Sequence, residues 1–337
     1  GAFALVAPAT SSAGGFAGGG EVALTVGGTQ GAPTVDADEL IVNADAFGGS
    51  IDSVGANFPG SFSIQALSGV LNVVNLTGSA LGDSLDTQSV ASSISAEGGD
   101  ILVSGDMTID VLDDFNVTTG QGSIIGGPSL LDPSAQISIT SGGTVTFAGD
   151  NDNLISFGGD SLSVTSNDIV IEDGARLGAF SMVFVSTNSE APAILGGGGT
   201  PQGGVTGEGY SFIGEELARL EVGTFTFSQP VVGEQGANDP DLIIRDITAS
   251  GSLDDGAFSI TASVIGTGGI ARVEGVLAYV DADVEDTLSL IADGRIEVVT
   301  PGGIGIVDPQ GNPTGTLFLG SNTIWVADSN LIALLQD

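Results

Sequence analysis

Residues 136–148 read QISITSGGTVTFA, and the reading of this stretch decides the fold. Ile137 and Ile139 alternate with polar neighbours, Ser141, Gly142 and Gly143 intervene, and Val145 and Phe147 alternate again. A period of two marks a strand with one buried face, because successive side chains leave a pleated backbone on opposite sides. The unit recurs. Ser161–Thr165 carries Leu162 and Val164, and after Ser166 and Asn167 the stretch Asp168–Glu172 carries Ile169 and Ile171. Thr287–Ile291 (TLSLI) and Arg295–Val299 (RIEVV) flank Ala292, Asp293 and Gly294. Gly315–Leu319 (GTLFL) and Thr323–Ala327 (TIWVA) flank Gly320, Ser321 and Asn322. Looser copies run through Glu21–Val26, Glu39–Ala44, Phe62–Ala66, Leu71–Leu76, Ile101–Ser104 and Met107–Val111.

Two short strands joined by two or three small residues are either a hairpin or successive faces of one coil of a parallel β-helix. Two-residue hairpins favour Asn-Gly or Asp-Gly, whereas the corners here read SGG, SN, ADG and GSN. Repetition of the couplet through much of the chain is expected of a solenoid, whose repeats bury their apolar faces by stacking. The sequence therefore predicts an all-β chain folded as a parallel β-helix. The alternative is an antiparallel, jelly-roll-like β-sandwich subunit with a donor strand. With 15 Phe, two Tyr and one Trp in 337 residues, the core is expected to be mostly Val, Ile, Leu and Ala.

Composition removes most catalytic chemistry. Against 42 Asp and Glu stand five Arg (176, 219, 245, 272 and 295) and no Lys, giving a formal charge of −37. There is no His and no Cys. The commonest general base, the thiolate nucleophile, the Schiff-base lysine and the usual zinc ligands are therefore all missing. Nucleic acid is excluded as a partner because each phosphate contact needs a cation. Yet only 14% of residues are charged and mean hydropathy is +0.36, unlike a disordered acidic chain. The 55 Gly, with no three-residue period, suit tight turns between short strands. No stretch predicts membrane insertion: the uncharged Gly1–Gly20 carries Pro8 and many Gly, a poor spanning helix.

The patterns AQISITSGGTVTFAG (135–149), DTLSLIADGRIEVVTPGGIGI (286–306) and GTLFLGSNTIWVA (315–327) resemble the repeats of filamentous-haemagglutinin-like exoproteins and autotransporter passenger domains. The resemblance lies in repeat texture and is strongest after Ala135. It implies a right-handed parallel β-helix, a secreted bacterial surface location and an adhesive or structural role. The Asn-Pro-Asn-Leu signature of two-partner exoproteins does not occur in the sequence.

The expected organisation is an apolar, Gly/Ala/Ser-rich arm over 1–20 and a solenoid over 21–328. Loop insertions are expected at 196–209 and 229–241, and a short capping helix at 329–337. A second helical candidate is Ile213–Leu220. Phe3, Leu5 and Ala7 alternate on the arm, which suits it to β-strand addition onto a neighbouring subunit or to folding back on its own chain.

Acidic clusters are the candidate metal sites. Asp150, Asp152 and Asn153 follow a strand, and Asp281, Asp283 and Glu285 form a second group, with Asp36, Asp38 and Glu39 a third. Calcium takes six to eight oxygen ligands, and carboxylates on a turn supply several; the competing reading is that Asp and Asn simply favour turns. No other cofactor is expected. Paired carboxylates also underlie glycosidase chemistry, but five scattered Arg and no aromatic cluster make a poor sugar cleft. Asn75 and Asn116 open glycan-acceptor patterns.

The expected function is therefore a non-enzymatic extracellular structural protein, a homo-polymer forming a cell-surface filament through its arm and divalent cations. Self-repulsion of −37 charges makes cation dependence part of that expectation. The alternatives are a monomeric adhesin rod binding a surface polysaccharide or protein, and an acidic carbohydrate-active enzyme.

Overall fold

A computed structural model describes residues 2–6, 9–11, 17–18, 21–27, 33–48, 57–58, 60–81, 91–97, 99–104, 107–111, 114–119, 124–126, 136–141, 144–149, 153–156, 161–197, 210–232, 239–245, 247–249, 259–274, 277–279, 287–299 and 316–326. They fall into two compact units, 1–166 with 171–179, and 167–170 with 180–337. The chain is all-β, and its sheets are long and parallel.

The couplet of residues 136–148 divides between two sheets. Strand Gln136–Ser141 pairs with Met107–Val111 and Ser161–Ser166, while strand Thr144–Gly149 pairs with Phe115–Thr119 in a different sheet. The two strands of one couplet lie in two sheets, so they do not pair as a hairpin. Thr287–Ala292 and Arg295–Val298 are divided in the same way, as are Thr316–Ser321 and Ile324–Val326. These pairings are all parallel, which rules out an antiparallel sandwich for these sheets.

In the first unit, one sheet stacks Glu21–Val26, Ser61–Ala66, Ser92–Ala96, Phe115–Thr119 and Thr144–Gly149. The other runs from Ala2–Val6 through Thr34–Asn43 to Val70–Ala80. Val70–Ala80 carries two shorter strands on its far edge, Asp100–Val103 opposite its first half and Met107–Val111 opposite its second. Register places like residues above like. Leu40, Leu76, Met107, Ile137 and Leu162 form one buried column, and Leu24, Ile64, Ile94, Val117 and Phe147 occupy another set of register positions. Each buried aliphatic side chain contributes about 1.5–3 kcal/mol relative to exposure. The stacking repeats that gain at each strand, because equivalent residues sit at matching register.

Gly78 breaks its column for a reason: an added Cβ would fall 2.6 Å from the ring of Phe62, so the ring occupies the space a side chain would take. Phe62 in turn lies 6.0 Å from Phe115.

In the second unit, one sheet joins Leu220–Pro230, Ser259–Ile265, Thr287–Ala292 and Thr316–Ser321. A second joins Ser211–Phe212, Ala193–Leu195, Leu242–Ile244, Ile270–Val273, Arg295–Val298 and Ile324–Val326. Its core is more aromatic than the composition suggests. Phe184 packs edge-on against Phe212 and Phe225 at 5.6 and 5.3 Å, and Tyr210 meets Phe227 at 5.2 Å.

The helix expected over Ile213–Leu220 is shorter, Gly214–Leu217, because Leu220 already begins a strand. Glu216, fully buried, accepts the Ile213 N–H at 2.9 Å and so satisfies one donor at the helix start. The expected insertion at 229–241 begins later than predicted, since Gln229 and Pro230 still pair with Val264 and Ile265. The expected capping helix at 329–337 and residues 198–209 of the expected insertion lie outside the described residues.

Corner glycines answer to crowding between successive turns of chain. A Cβ on Gly99 would fall 2.0 Å from the Gly69 carbonyl oxygen, and one on Gly294 would fall 2.5 Å from that of Gly268. At both corners backbone lies directly over backbone. Gly99→Ala is expected to lower unfolding stability by about 1–3 kcal/mol, the usual cost of overpacking. A urea midpoint matching the parent's would contradict this close approach.

Candidate functional site

Several aspartates missed by sequence reading bridge segments far apart in the chain. Asp241, like Asp168, is deeply enclosed, with 4% of its surface exposed. Its two carboxylate oxygens accept the Val232 N–H at 2.7 Å and the Ile270 N–H at 2.8 Å. Its own N–H donates to the Ile270 carbonyl at 2.9 Å, and its carbonyl accepts from Ala193 at 2.9 Å. Asp114 accepts the Thr144 N–H at 2.7 Å, and Asp168 that of Ser211 at 3.1 Å. Asp293 accepts the Gly268 N–H at 3.1 Å. Backbone donors at strand ends have no ladder partner, and these carboxylates satisfy them. The sequence signal is an Asp at or just before a strand, or between two strands, 25 to 43 residues from the distant N–H it accepts.

Asp45 forms a similar junction in the first unit. It accepts from the Asn43 side chain at 2.7 Å, from the Leu81 N–H at 2.8 Å and from the Ser79 hydroxyl. Asp110 stands in register with Ser79 on the next strand. Burial first, and the charge of Asp45 second, push the Asp110 carboxyl above its ordinary value of 3.8.

The Arg residues lie in ion pairs where their partners are described. Glu297, with 8% of its side chain exposed, accepts from Arg272 at 2.8 Å and from Arg295 at 2.6 Å. Burial raises this carboxyl, but the hydrogen bonds and charges of the two guanidinium groups outweigh it. Glu297 is therefore held below its ordinary value of 4.5. Arg245 meets Glu274 at 3.4 Å, and Arg219 lies 3.9 Å from Glu215 one helical turn away. Each of these last two pairs has at least one well-exposed partner and contributes little, about 0–1 kcal/mol.

The predicted metal ligands are not brought together by the described structure. Asp150, Asp152, Asp281, Asp283 and Glu285 lie outside the described residues, and Asn153 opens the strand Asn153–Ser156. Asp36, Asp38 and Glu39 lie along the strand Thr34–Asn43, and Asp36 accepts from the Asn72 side chain at 3.1 Å. Among the described residues, no group of three acidic side chains is gathered so as to hold a metal ion. Of the assembly arm, Phe3 and Leu5 lie in strand Ala2–Val6, opposite Leu40 and Val42. That strand folds onto its own chain, the second of the two arrangements open to it; Ala7 lies outside the described residues. Asn75 and Asn116 both fall within strands. Among the described residues no helix is long and apolar enough to cross a membrane.

Comparison of the chain with protein-family models, curated proteins and solved structures finds no match.

The bridging carboxylates predict opposite pH behaviour at two positions. A depressed carboxyl adds stability that is complete above its unfolded value and is lost as pH falls through the folded one. Glu297→Gln should therefore flatten the acid limb of a melting-temperature profile. A raised carboxyl works the other way: charging Asp110 costs stability at neutral pH, and protonation relieves it as pH falls through the raised value. Asp110→Asn should then raise the melting temperature at neutral pH, with the gain shrinking toward acid. Parallel profiles for parent and variants would contradict both assignments. Asp241→Ala strips partners from two buried N–H groups and should cost about 2–6 kcal/mol in urea unfolding. A loss under about 0.5 kcal/mol, typical of an ordinary surface change, would contradict that role.

Proposed function

We propose that this chain is a non-enzymatic extracellular structural protein, a right-handed parallel β-helix that builds or forms part of a cell-surface filament. The observation that carries the reading is the division of each couplet between two parallel sheets, each strand paired with a strand from another couplet. Closing such sheets through corners gives a solenoid, and parallel crossovers are right-handed in nearly all known cases. The corner carboxylates and stacked apolar columns support a scaffold, since they spend their polar groups on holding the backbone.

Growth would use strand addition. Strand Ala2–Val6 has one partner among the described residues, Thr34–Asn43, and growth would use its other edge. A strand of a second copy laid along that edge would extend the sheet with the same parallel register. Charge opposes it: copies carrying −37 each repel until salt or divalent ions screen them. Calcium is the proposed ion, taken by carboxylates on exposed turns.

Electron microscopy of the purified chain tests this directly. Regular fibres are expected in calcium, with dispersal in chelator and single short rods on removal of residues 1–20. Single rods under every condition would instead favour a monomeric adhesin rod displaying its loops to a surface partner. Equal fibre formation in chelator and in calcium at physiological ionic strength would remove the cation from the account.

A further inference from the structure

Among the described residues, the outward positions from Thr224 to Ile291 on one sheet of the second unit carry no charge, and Glu221 lies beyond them toward the start of its strand. The strands Leu220–Pro230, Ser259–Ile265 and Thr287–Ala292 are parallel and in register, and Thr316–Ser321 continues them. Phe225, Phe227, Ile260, Ala262, Leu288 and Leu290 point inward and are buried. The residues between them form columns on the other side: Thr224, Ser259, Thr287; then Thr226, Thr261, Ser289; then Ser228, Ser263, Ile291, of which Ser228 is itself buried. Eight of these nine positions are Ser or Thr and none is charged, in a chain with 42 carboxylates. The hydroxyls partly satisfy one another, with Ser228 and Ser263 2.9 Å apart and Ser259 bonded to Thr287.

The far end of this face is apolar. Ile265 is 55% exposed, Ile291 40% and Phe318 55%. Phe318 stands in register with Ser289, and its ring reaches over Gly320, where a Cβ would meet it at 3.0 Å and Ile291 at 3.7 Å. The side chain missing at Gly320 lets Phe318 and Ile291 form a contiguous patch, the kind of surface that marks an interaction site.

We propose that this face pairs with the same face of a second copy of the chain. Charge selects the occupant. A cationic partner is drawn to the carboxylates elsewhere, and two copies at −37 approach most cheaply where no carboxylate confronts another. A second copy also presents the same strand spacing of about 4.8 Å, so outward side chains of two sheets about 10 Å apart can interdigitate. The contact is isologous, one patch meeting itself about a two-fold axis. Four strands of about six paired residues cover about 400 Å² per copy at these spacings, so the pair buries about 800 Å². That is the weak end of specific interfaces: lone chains pair transiently, and chains tethered side by side in a fibre gain from multivalency. The inference goes beyond end-to-end growth and holds whether or not the arm polymerises the chain.

The full chain has no Cys, so Thr261→Cys provides a unique attachment point for a nitroxide label at the centre of the face. Dipolar measurements at high protein concentration should show short distances between chains, on the order of the ~10 Å sheet separation plus two label arms. Ser138→Cys, on the outward face of the first unit beside Thr108 and Ser163, should show none. Adding Ile291→Asp and Phe318→Asp to Thr261→Cys should abolish the short distances while leaving the melting temperature within a few degrees. Absence of short distances from Thr261→Cys overturns the proposal, as does an equal distribution from Ser138→Cys. Should the double Asp variant fail to fold, the comparison of the two labelled positions decides alone. Short distances without fibres in micrographs would sink end-to-end growth and leave this face; fibres without short distances would do the reverse.

Discussion

Everything in this molecule depends on laying one length of chain over another in parallel register. Adjacent strands in such a ladder lie about 4.7–4.9 Å apart, so a residue and its register partner are in van der Waals contact along the whole stack. The constraint has two consequences that pull in opposite directions. Inward positions gain by carrying like apolar residues, as in the column Leu40, Leu76, Met107, Ile137 and Leu162. Corners lose the space for a side chain wherever backbone must cross backbone, as at Gly99 over Gly69 and Gly294 over Gly268. The abundance of glycine and the apolar alternation are thus two readings of one geometry.

The acidity of the chain has a structural use within that geometry. Where an interruption of the ladder leaves a backbone N–H without a ladder partner, that group needs another acceptor. A short carboxylate placed nearby reaches it, and Asp114, Asp168, Asp241 and Asp293 all do so. Lys would be of no help there, because it has donors only. The scarcity of cations leaves little compensation: Glu297 takes two of the five Arg for one carboxylate. Outward hydroxyl columns complete the pattern, with Ser and Thr bonding to each other across strands, as Ser63 and Ser93 do at 3.3 Å.

Much of this was legible in sequence, and the rest was hidden for identifiable reasons. The couplet of residues 136–148 announced two strands and a corner, because period-two alternation and a Gly-Gly break are local signals. The choice between hairpin and coil was not local, since it depends on which strand lies beside Ile137: Met107 or Val145. The structure chooses Met107. The aromatic cluster of Phe184, Phe212 and Phe225 was equally invisible, for these residues lie far apart in sequence and converge only through stacking. Asp241 carries no such local signal, because it is a single acid beside Pro240 and its partners Val232 and Ile270 are set by the stacking. The helix over Ile213–Leu220 is cut short because Leu220, at helical spacing from Ile213 and Leu217, also alternates with Val222 and joins the strand Leu220–Pro230.

The parallel register is open to a direct chemical test in a chain that contains no Cys. Ser63 and Ser93 are register partners with outward side chains, and directly paired residues on neighbouring strands fall within the Cα separation that a disulfide spans. A Ser63→Cys, Ser93→Cys double variant should oxidise readily to an intramolecular disulfide without loss of thermal stability. A Ser63→Cys, Thr118→Cys pair, separated by an intervening strand and offset along it, should not. Failure of the first pair to close, or equal closure of both, would contradict the stacked parallel architecture.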